Sequence, residues 1–202
     1  SNIALCVNPD ETYARVKAAD GFTYIMAKAL LDKVLGGIER EEGTPAYEII
    51  EEYKGKDLEY KEYEPLYQCA KDCADKQHKK AFFVYCDNYV TMEDGTGIVH
   101  IAPAFGEDDA KVGRKYDLPF VQFVDGKGEL TKETPYAGLF VKKADPEVLK
   151  DLDKEGKLFD APKFEHDYPY CWRCDTPLIY YARESWFIKM SDPEVKANLI
   201  AN

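Results

Sequence analysis

The fifteen residues from Gly95 to Asp109, GTGIVHIAPAFGEDD, constrain this chain more than any other stretch. A Gly-Thr-Gly turn (Gly95, Thr96, Gly97) feeds a short apolar strand step at Ile98 and Val99. His100 follows, then an Ala-Pro break at Ala102 and Pro103, then an acidic helix start at Glu107, Asp108 and Asp109. That order sets His100 and Asp109 at the two ends of one tight loop, which is how a pocket is built. The plainer reading is a strand-turn-helix connection with a surface histidine and acidic residues that favour the N-terminal helix dipole.

Composition limits what such a loop can belong to. With 202 residues, 45% apolar and 13% aromatic, the chain buries a core as one large domain or as a domain with a small appendage. A disordered chain is excluded. Thirty-eight acidic against 27 basic side chains give a net charge of −11, which argues against a surface that coats DNA or RNA nonspecifically. A nucleic-acid partner would have to be positioned by something else, such as the rest of a larger enzyme, and DNA is not expected.

No run approaches 18 consecutive apolar residues, and the N-terminus lacks the basic, apolar, small-residue order of a signal peptide. The chain therefore reads as cytoplasmic, without a membrane partner. In that compartment its six cysteines are expected as thiols or metal ligands rather than disulfides. It opens on SNIALCV without a methionine, and is read as a segment of a longer protein.

Periodicity predicts strands with short helices between them. Ile3–Val7 and Tyr13–Ala18 read as a hairpin across Asn8-Pro9-Asp10. Phe22–Leu35 carries apolar residues at a helical period and stops at Gly36-Gly37. Ala46–Lys54 is a short helix or a strand, Leu58–Tyr67 is extended, and Tyr67–Lys80, with Cys69 and Cys73 one turn apart, reads as a polar surface insert. Ala81–Thr91 is the strongest predicted strand. After the loop come a helix at Asp108–Tyr116, a strand at Phe120–Val124 closed by Asp125-Gly126-Lys127-Gly128, and a helix at Ala144–Gly156 opened by Asp145 and Pro146. The expected fold class is α+β, mainly β: a partly closed β-barrel with inserted α-helices and a CxxC-containing C-terminal extension.

The whole 95–109 stretch resembles the editing-domain signature of isoleucyl-tRNA synthetase, a class I aminoacyl-tRNA synthetase family. Ser1–Leu5 resembles the end of that family's Thr-Pro-Trp-Thr-Leu-Pro-Ser-Asn run. Gly55–Leu58 with Tyr63–Leu66 is similar to its mid-domain strand pair, and Tyr168-Pro169-Tyr170-Cys171-Trp172-Arg173-Cys174 to its exit zinc knuckle. The valyl relative usually carries lysine where His100 stands, so His100 favours the isoleucyl branch. The resemblance implies an editing (CP1) domain at 1–160 and an exit segment at 161–202 that leads back to the catalytic body.

The chemistry so implied is hydrolysis of valine wrongly esterified to the 3′ end of tRNA(Ile). A hydrophobic pocket converts one methylene into only about 1–3 kcal/mol, for which isoleucine against valine on this synthetase is itself the standard illustration, so a second sieve is needed. The resemblance assigns Asp109 to the substrate's α-ammonium, where one fixed carboxylate anchors by a charge-assisted hydrogen bond. On spacing alone Glu107 and Asp108 compete for that task. His100 is implied to limit pocket size against the cognate side chain, and a neutral imidazole can also position water. Phe105 is implied beside the terminal adenosine, and Thr96, Gly97 and Asp108 complete the substrate-binding set.

Two further expectations concern the ends of the chain. The resemblance places a threonine-rich strand, which supplies hydroxyls to the pocket, just before Ser1, and a segment cut after it is expected to edit weakly. Cys171 and Cys174 form half a zinc knuckle, with the other ligand pair implied upstream of the insert. No zinc is expected on this segment, although Cys69, Cys73 or His166 are the residues that could add a ligand, and zinc is possible in the full-length protein. Cys6 and Cys86 read as ordinary buried thiols. A zinc-ribbon binding module, a valyl-type editing domain and a free-standing esterase are the alternatives, and the last lacks a Gly-x-Ser-x-Gly elbow.

Overall fold

The computed structural model describes residues 1–162 and 167–201. Its strands are β1 (Ala4–Val7), β2 (Thr12–Ala18), β3 (Thr23–Ala27), β4 (Tyr47–Lys54), β5 (Val84–Cys86) and β6 (Ile98–Ile101). Its α-helices are α1 (Leu31–Leu35), α2 (Gln68–Lys76), α3 (Glu107–Lys115), α4 (Val141–Lys154) and α5 (Pro193–Ala201). The strands form two three-stranded sheets, β5-β1-β6 and β3-β2-β4.

This mixed α/β arrangement replaces the partly closed barrel expected from the strand pattern. In the first sheet β1 is central, parallel to β5 (Leu5 opposite Val84) and antiparallel to β6 (Leu5 opposite His100). In the second, β2 pairs antiparallel with both neighbours. Among the described residues no strand ladder joins the sheets, and one backbone bond, Ala27 N–H to Thr96 O at 2.8 Å, bridges them. The apolar surface is instead buried between the sheets by a cluster that includes Val7, Tyr13, Ala27 and Leu30.

The expected β1–β2 hairpin does not form, because the Asn8–Glu11 turn is claimed by other parts of the chain. Asn8 Nδ2 donates to Val90 O at 3.0 Å, while the Gly55 and Lys56 amides donate to Glu11 O and Pro9 O. A Cβ on Gly55 would stand 2.0 Å from Asn8 O, so only glycine admits this approach. The turn thus sends β2 out of one sheet and into the other.

Phe22–Leu35 is half strand and half helix. Tyr24, Ile25 and Met26 pair with β2, and a 3-10 turn at Lys28–Leu30 leads into α1. Cross-strand pairing of aromatic and β-branched residues outweighs the helical period here. Ala46–Lys54 resolves as a strand, β4. Ala81–Thr91 contributes only the three-residue β5, since Phe82 sits in the left-handed region (φ 64°) and β1 offers just four residues to pair.

Phe120–Val124 makes no ladder, although Val121, Phe123 and Val124 are buried and Val124 bridges Leu130. The Asp125–Gly128 turn forms as expected. Asp125 Oδ1 accepts from the Lys127 and Glu129 amides at 2.8 and 3.0 Å. Helix α4 starts at Val141 rather than at Ala144, with Phe140 as its cap and Pro146 inside it, where the ring forfeits one i→i−4 bond. Helix α2 corrects the surface-insert reading of Tyr67–Lys80: Ala70 and Ala74 are buried, and Cys69 and Cys73 pack on the core with Ile3 and Phe82.

Residues 167–201 lie mostly in solvent. Tyr170 bridges Pro177, Ala182 N–H donates to Ala104 O at 2.7 Å, and Trp186, Phe187 and Ile188 are all exposed. No helix among the described residues is long and apolar enough to cross a membrane.

Candidate functional site

A cleft of about 640 Å³ opens where β1 and β6 meet α2 and α4. Three of the residues singled out in sequence line it: His100, Phe105 and Asp109. The wall around them is largely apolar, with Tyr63, Phe82, Phe123 and Leu152 among its members.

Asp109 is seated by the loop that precedes it. Its Oδ2 accepts from the Ala102 N–H at 2.9 Å, and Phe105 N–H donates to Ala102 O at 2.8 Å, so the Ala102–Phe105 turn closes on itself. Pro103 rests against Gly113, where an added Cβ would come within 3.0 Å of the ring, and this packing fixes α3 under the loop. Gly106, the residue before α3, approaches the carboxyl so closely that a Cβ there would lie 2.8 Å from Asp109 Cγ. With Oδ2 taken by backbone, Oδ1 has no protein partner among the described residues. A half-buried carboxylate held in this way presents one oxygen at a fixed place to a cationic group.

His100 stands on β6 opposite Leu5, between Val99 and the buried Ile101, and its ring is exposed on the cleft wall. Among the described residues it makes no side-chain hydrogen bond. The strand therefore sets its position and leaves both ring nitrogens available to a ligand or water. Phe105 is half-buried and lines the same wall.

The other residues of the implied substrate set lie elsewhere. Asp108 faces solvent and pairs with Lys111 at 2.9 Å. Thr96 and Gly97 are on the side of the loop that meets β3. Thr96 O accepts from Ala27, Gly97 O accepts from the Tyr13 hydroxyl at 2.7 Å, and a Cβ on Gly97 (φ +72°) would stand 2.4 Å from the Ala27 methyl.

The cleft also has walls that sequence reading missed. Asp145, Val148 and Leu152 come from one face of α4, and Tyr67 and Tyr136 close the rim between α4 and α2. The i, i+3, i+7 spacing of the three α4 residues was the available signal. What the helix would pack against depends on partners distant in sequence, which that spacing does not name.

Cys171 and Cys174 sit in a small turn, with Cys171 N–H donating to Thr176 O at 2.9 Å and Cys174 Sγ 2.7 Å from Thr176 Oγ1. Hydrogen bonds from Thr176, and then from Cys171, hold the exposed Cys174 thiol below its ordinary pKa. Among the described residues no group of three or more His, Cys, Asp or Glu converges on a common point, so these two thiols offer half of a tetrahedral set and do not by themselves fit zinc. Cys69 and Cys73 lie on α2, and His166 lies outside the described residues. Cys6 and Cys86 are buried in the strands, and burial pushes the Cys6 thiol up to about 12.

No family model matches the chain. Curated relatives do. It is 46% identical over 192 residues to the isoleucine–tRNA ligase of Clostridium novyi, covering 95% of this chain and 17% of that protein. To the Thermus thermophilus isoleucine–tRNA ligase it is 44% identical over 93% of its length, and to that of Pyrococcus abyssi 41% over 99%. The chain spans under a fifth of the length of these relatives, 16–19%. In three dimensions it is similar to a solved structure described as GlLeuRS-CP1, with a TM-score of 0.57 and 16% identity, over 80% of this chain and 79% of that one. That second likeness is one of fold. By its identity across nearly its full length to part of these ligases, the chain belongs to the isoleucyl-tRNA synthetase family, and its fold is similar to that of a CP1 domain.

Proposed function

We propose that the cleft is an editing site that hydrolyses Val-tRNA(Ile), with Asp109 anchoring the valyl α-ammonium. The observation that carries this reading is the Asp109 carboxylate itself, fixed through one oxygen by the Ala102 amide at 2.9 Å on the wall of a mostly apolar cleft. An aminoacyl ester needs that combination, a fixed anion for its ammonium beside apolar surface for its side chain and base. In the reaction water oxygen bonds to the ester carbonyl carbon, the bond to the ribose oxygen breaks, and the ribose oxygen takes the proton. Valine and tRNA with a free 3′ end result. Holding the ammonium fixes the carbonyl relative to the incoming water, which is catalysis by orientation.

His100 shapes the same wall against a larger side chain, and Phe105 offers an aromatic face to the terminal base. Thr96, Gly97 and Asp108 act at a distance, by holding the loop against β3 and by placing a carboxylate in the first turn of α3, where the helix dipole favours it. The partners of this site are the 3′ end of mischarged tRNA(Ile) and the remainder of the synthetase, in the cytoplasm. With net charge −11 the segment needs that remainder to place a polyanion.

The test is deacylation of Val-tRNA(Ile) by a full-length ligase carrying this segment, wild type against Asp109→Ala and Asp108→Ala. We expect Asp109→Ala to abolish clearance with isoleucine activation unchanged, and Asp108→Ala to act nearly as wild type. Clearance at the wild-type rate by Asp109→Ala overturns the assignment.

A further inference from the structure

We propose that Tyr136 is a positioning residue, which sets how close the α4 wall stands to the rest of the cleft and so fixes the room left for the substrate; this rests on the editing reading of the cleft. Helix α4 buries only Ala144, yet Asp145, Val148 and Leu152 supply one side of the cleft. So little burial gives α4 scant hold of its own, and its position depends on the few groups that reach it from outside. Tyr136 is the main one. Its hydroxyl donates to Asp151 Oδ2 in a short hydrogen bond and stands 3.1 Å from the Tyr67 hydroxyl. The Tyr67 and Tyr136 rings meet edge to face, their centroids 6.2 Å apart. Among the described residues no other side-chain hydrogen bond joins α4 to the rest of the chain.

The strut has firm footings at both ends. Tyr67 caps α2, whose Ala70 and Ala74 are in the core, and Tyr136 sits in a loop closed by Leu130 N–H to Leu139 O and Gly138 N–H to Leu130 O, both 2.8 Å. Partial burial, then donation to Asp151, pushes the Tyr136 phenol above its ordinary pKa, so the hydroxyl keeps its proton across the neutral range. Since the two tyrosine rings also line the cleft, loss of the hydroxyl leaves the ring surface in place and frees only the helix.

The decisive substitutions are Tyr136→Phe, Asp151→Ala and Asp151→Asn in a full-length ligase carrying this segment. Asparagine keeps an acceptor at the same place, whereas alanine removes it. For Tyr136→Phe and Asp151→Ala we expect the KM for Val-tRNA(Ile) deacylation to rise about tenfold, the change one hydrogen bond supplies, with kcat nearly unchanged. The double variant should be no worse than either single one, and Asp151→Asn should resemble wild type. Amide hydrogen exchange along 144–152 should quicken in Tyr136→Phe by about the same factor. Unchanged exchange there, or a fall in kcat at constant KM, overturns the proposal. If the wild-type enzyme does not deacylate Val-tRNA(Ile), the editing reading fails, and the exchange measurement alone still decides whether Tyr136 holds the wall.

Discussion

Gly106→Ala isolates the position of Asp109 from its chemistry. The added Cβ would lie 2.8 Å from Asp109 Cγ, 2.9 Å from Oδ2 and 3.2 Å from Oδ1. Ordinary carbon contacts begin near about 3.5 Å, so the carboxyl must retreat by roughly 0.7 Å. The one hydrogen bond that fixes it among the described residues, from Ala102 at 2.9 Å, cannot survive such a shift in full. A bond to a charged group is worth about 1.5–3 kcal/mol, and a misplacement near 1 Å can cost on the order of 100-fold in rate, so turnover should drop about 30- to 100-fold. Stability should change far less. Gly106 is extended (φ −135°, ψ 142°), which alanine adopts freely, and the group displaced is the mobile end of a side chain, leaving about 1 kcal/mol for the poorer helix cap. Single-turnover deacylation of Val-tRNA(Ile) beside thermal melting separates the two effects. A variant that melts near wild type and also clears substrate within twofold of its rate would refute the reasoning, because Asp109 would then act without being held in place.

Other consequences are open to measurement. His100→Ala should enlarge the cleft and let the enzyme hydrolyse cognate Ile-tRNA(Ile); unchanged selectivity between valyl and isoleucyl esters would reduce His100 to a structural residue. Gly97→Ala should destabilise the fold by about 3 kcal/mol or more, since it forces an alanine to φ +72° and drives its Cβ to 2.4 Å from Ala27, and denaturant unfolding would show it. Cys174 should be alkylated first near neutral pH and Cys6 only on unfolding, as read by mass spectrometry of iodoacetamide-treated protein. The raised folded pKa of Cys6 adds stability that is present below the ordinary thiol value of 9.0 and is lost as pH rises toward about 12, so melting temperature should fall through that window and fall less in Cys6→Ser.

The loop from Gly95 to Asp109 was legible because its punctuation is local: glycines with positive φ at 95 and 97, a proline break at 103 and acidic residues at the first turn of α3. His100 and Asp109 were therefore brought to one cleft as their spacing suggested. Thr96, Gly97 and Asp108 show the limit of the same reasoning, since nearness in sequence did not tell which side of the loop each would face. What was not legible depends on distant partners. Tyr13–Ala18 looked like the mate of Ile3–Val7 until Gly55 and Val90 claimed the turn between them. The barrel fails for the same reason, because strand pairing is decided by which backbone edges are left free, and alternation in sequence does not name the partner. Helix α4 begins three residues before the start its sequence suggests, as Pro146 reads as a first-turn residue yet stands five residues inside. Tyr136 lies in a loop before the helix, where no periodicity marks it, and its place on the cleft depends on Tyr67 and Asp151.

The place of β1 at the centre of the first sheet governs the order in which this chain can fold. Its two neighbours come from residues about 80 and 95 positions later, Leu5 meeting Val84 on one side and His100 on the other. The β3-β2-β4 sheet, by contrast, draws only on residues 12–54, so its pairings are all closer in sequence. Loop-closure entropy lets that sheet organise early, while β1 waits for the segment that carries the cleft. During synthesis β1 lacks its β6 partner until His100 has emerged, and the strand edge that later seats the cleft is for that interval open to mispairing.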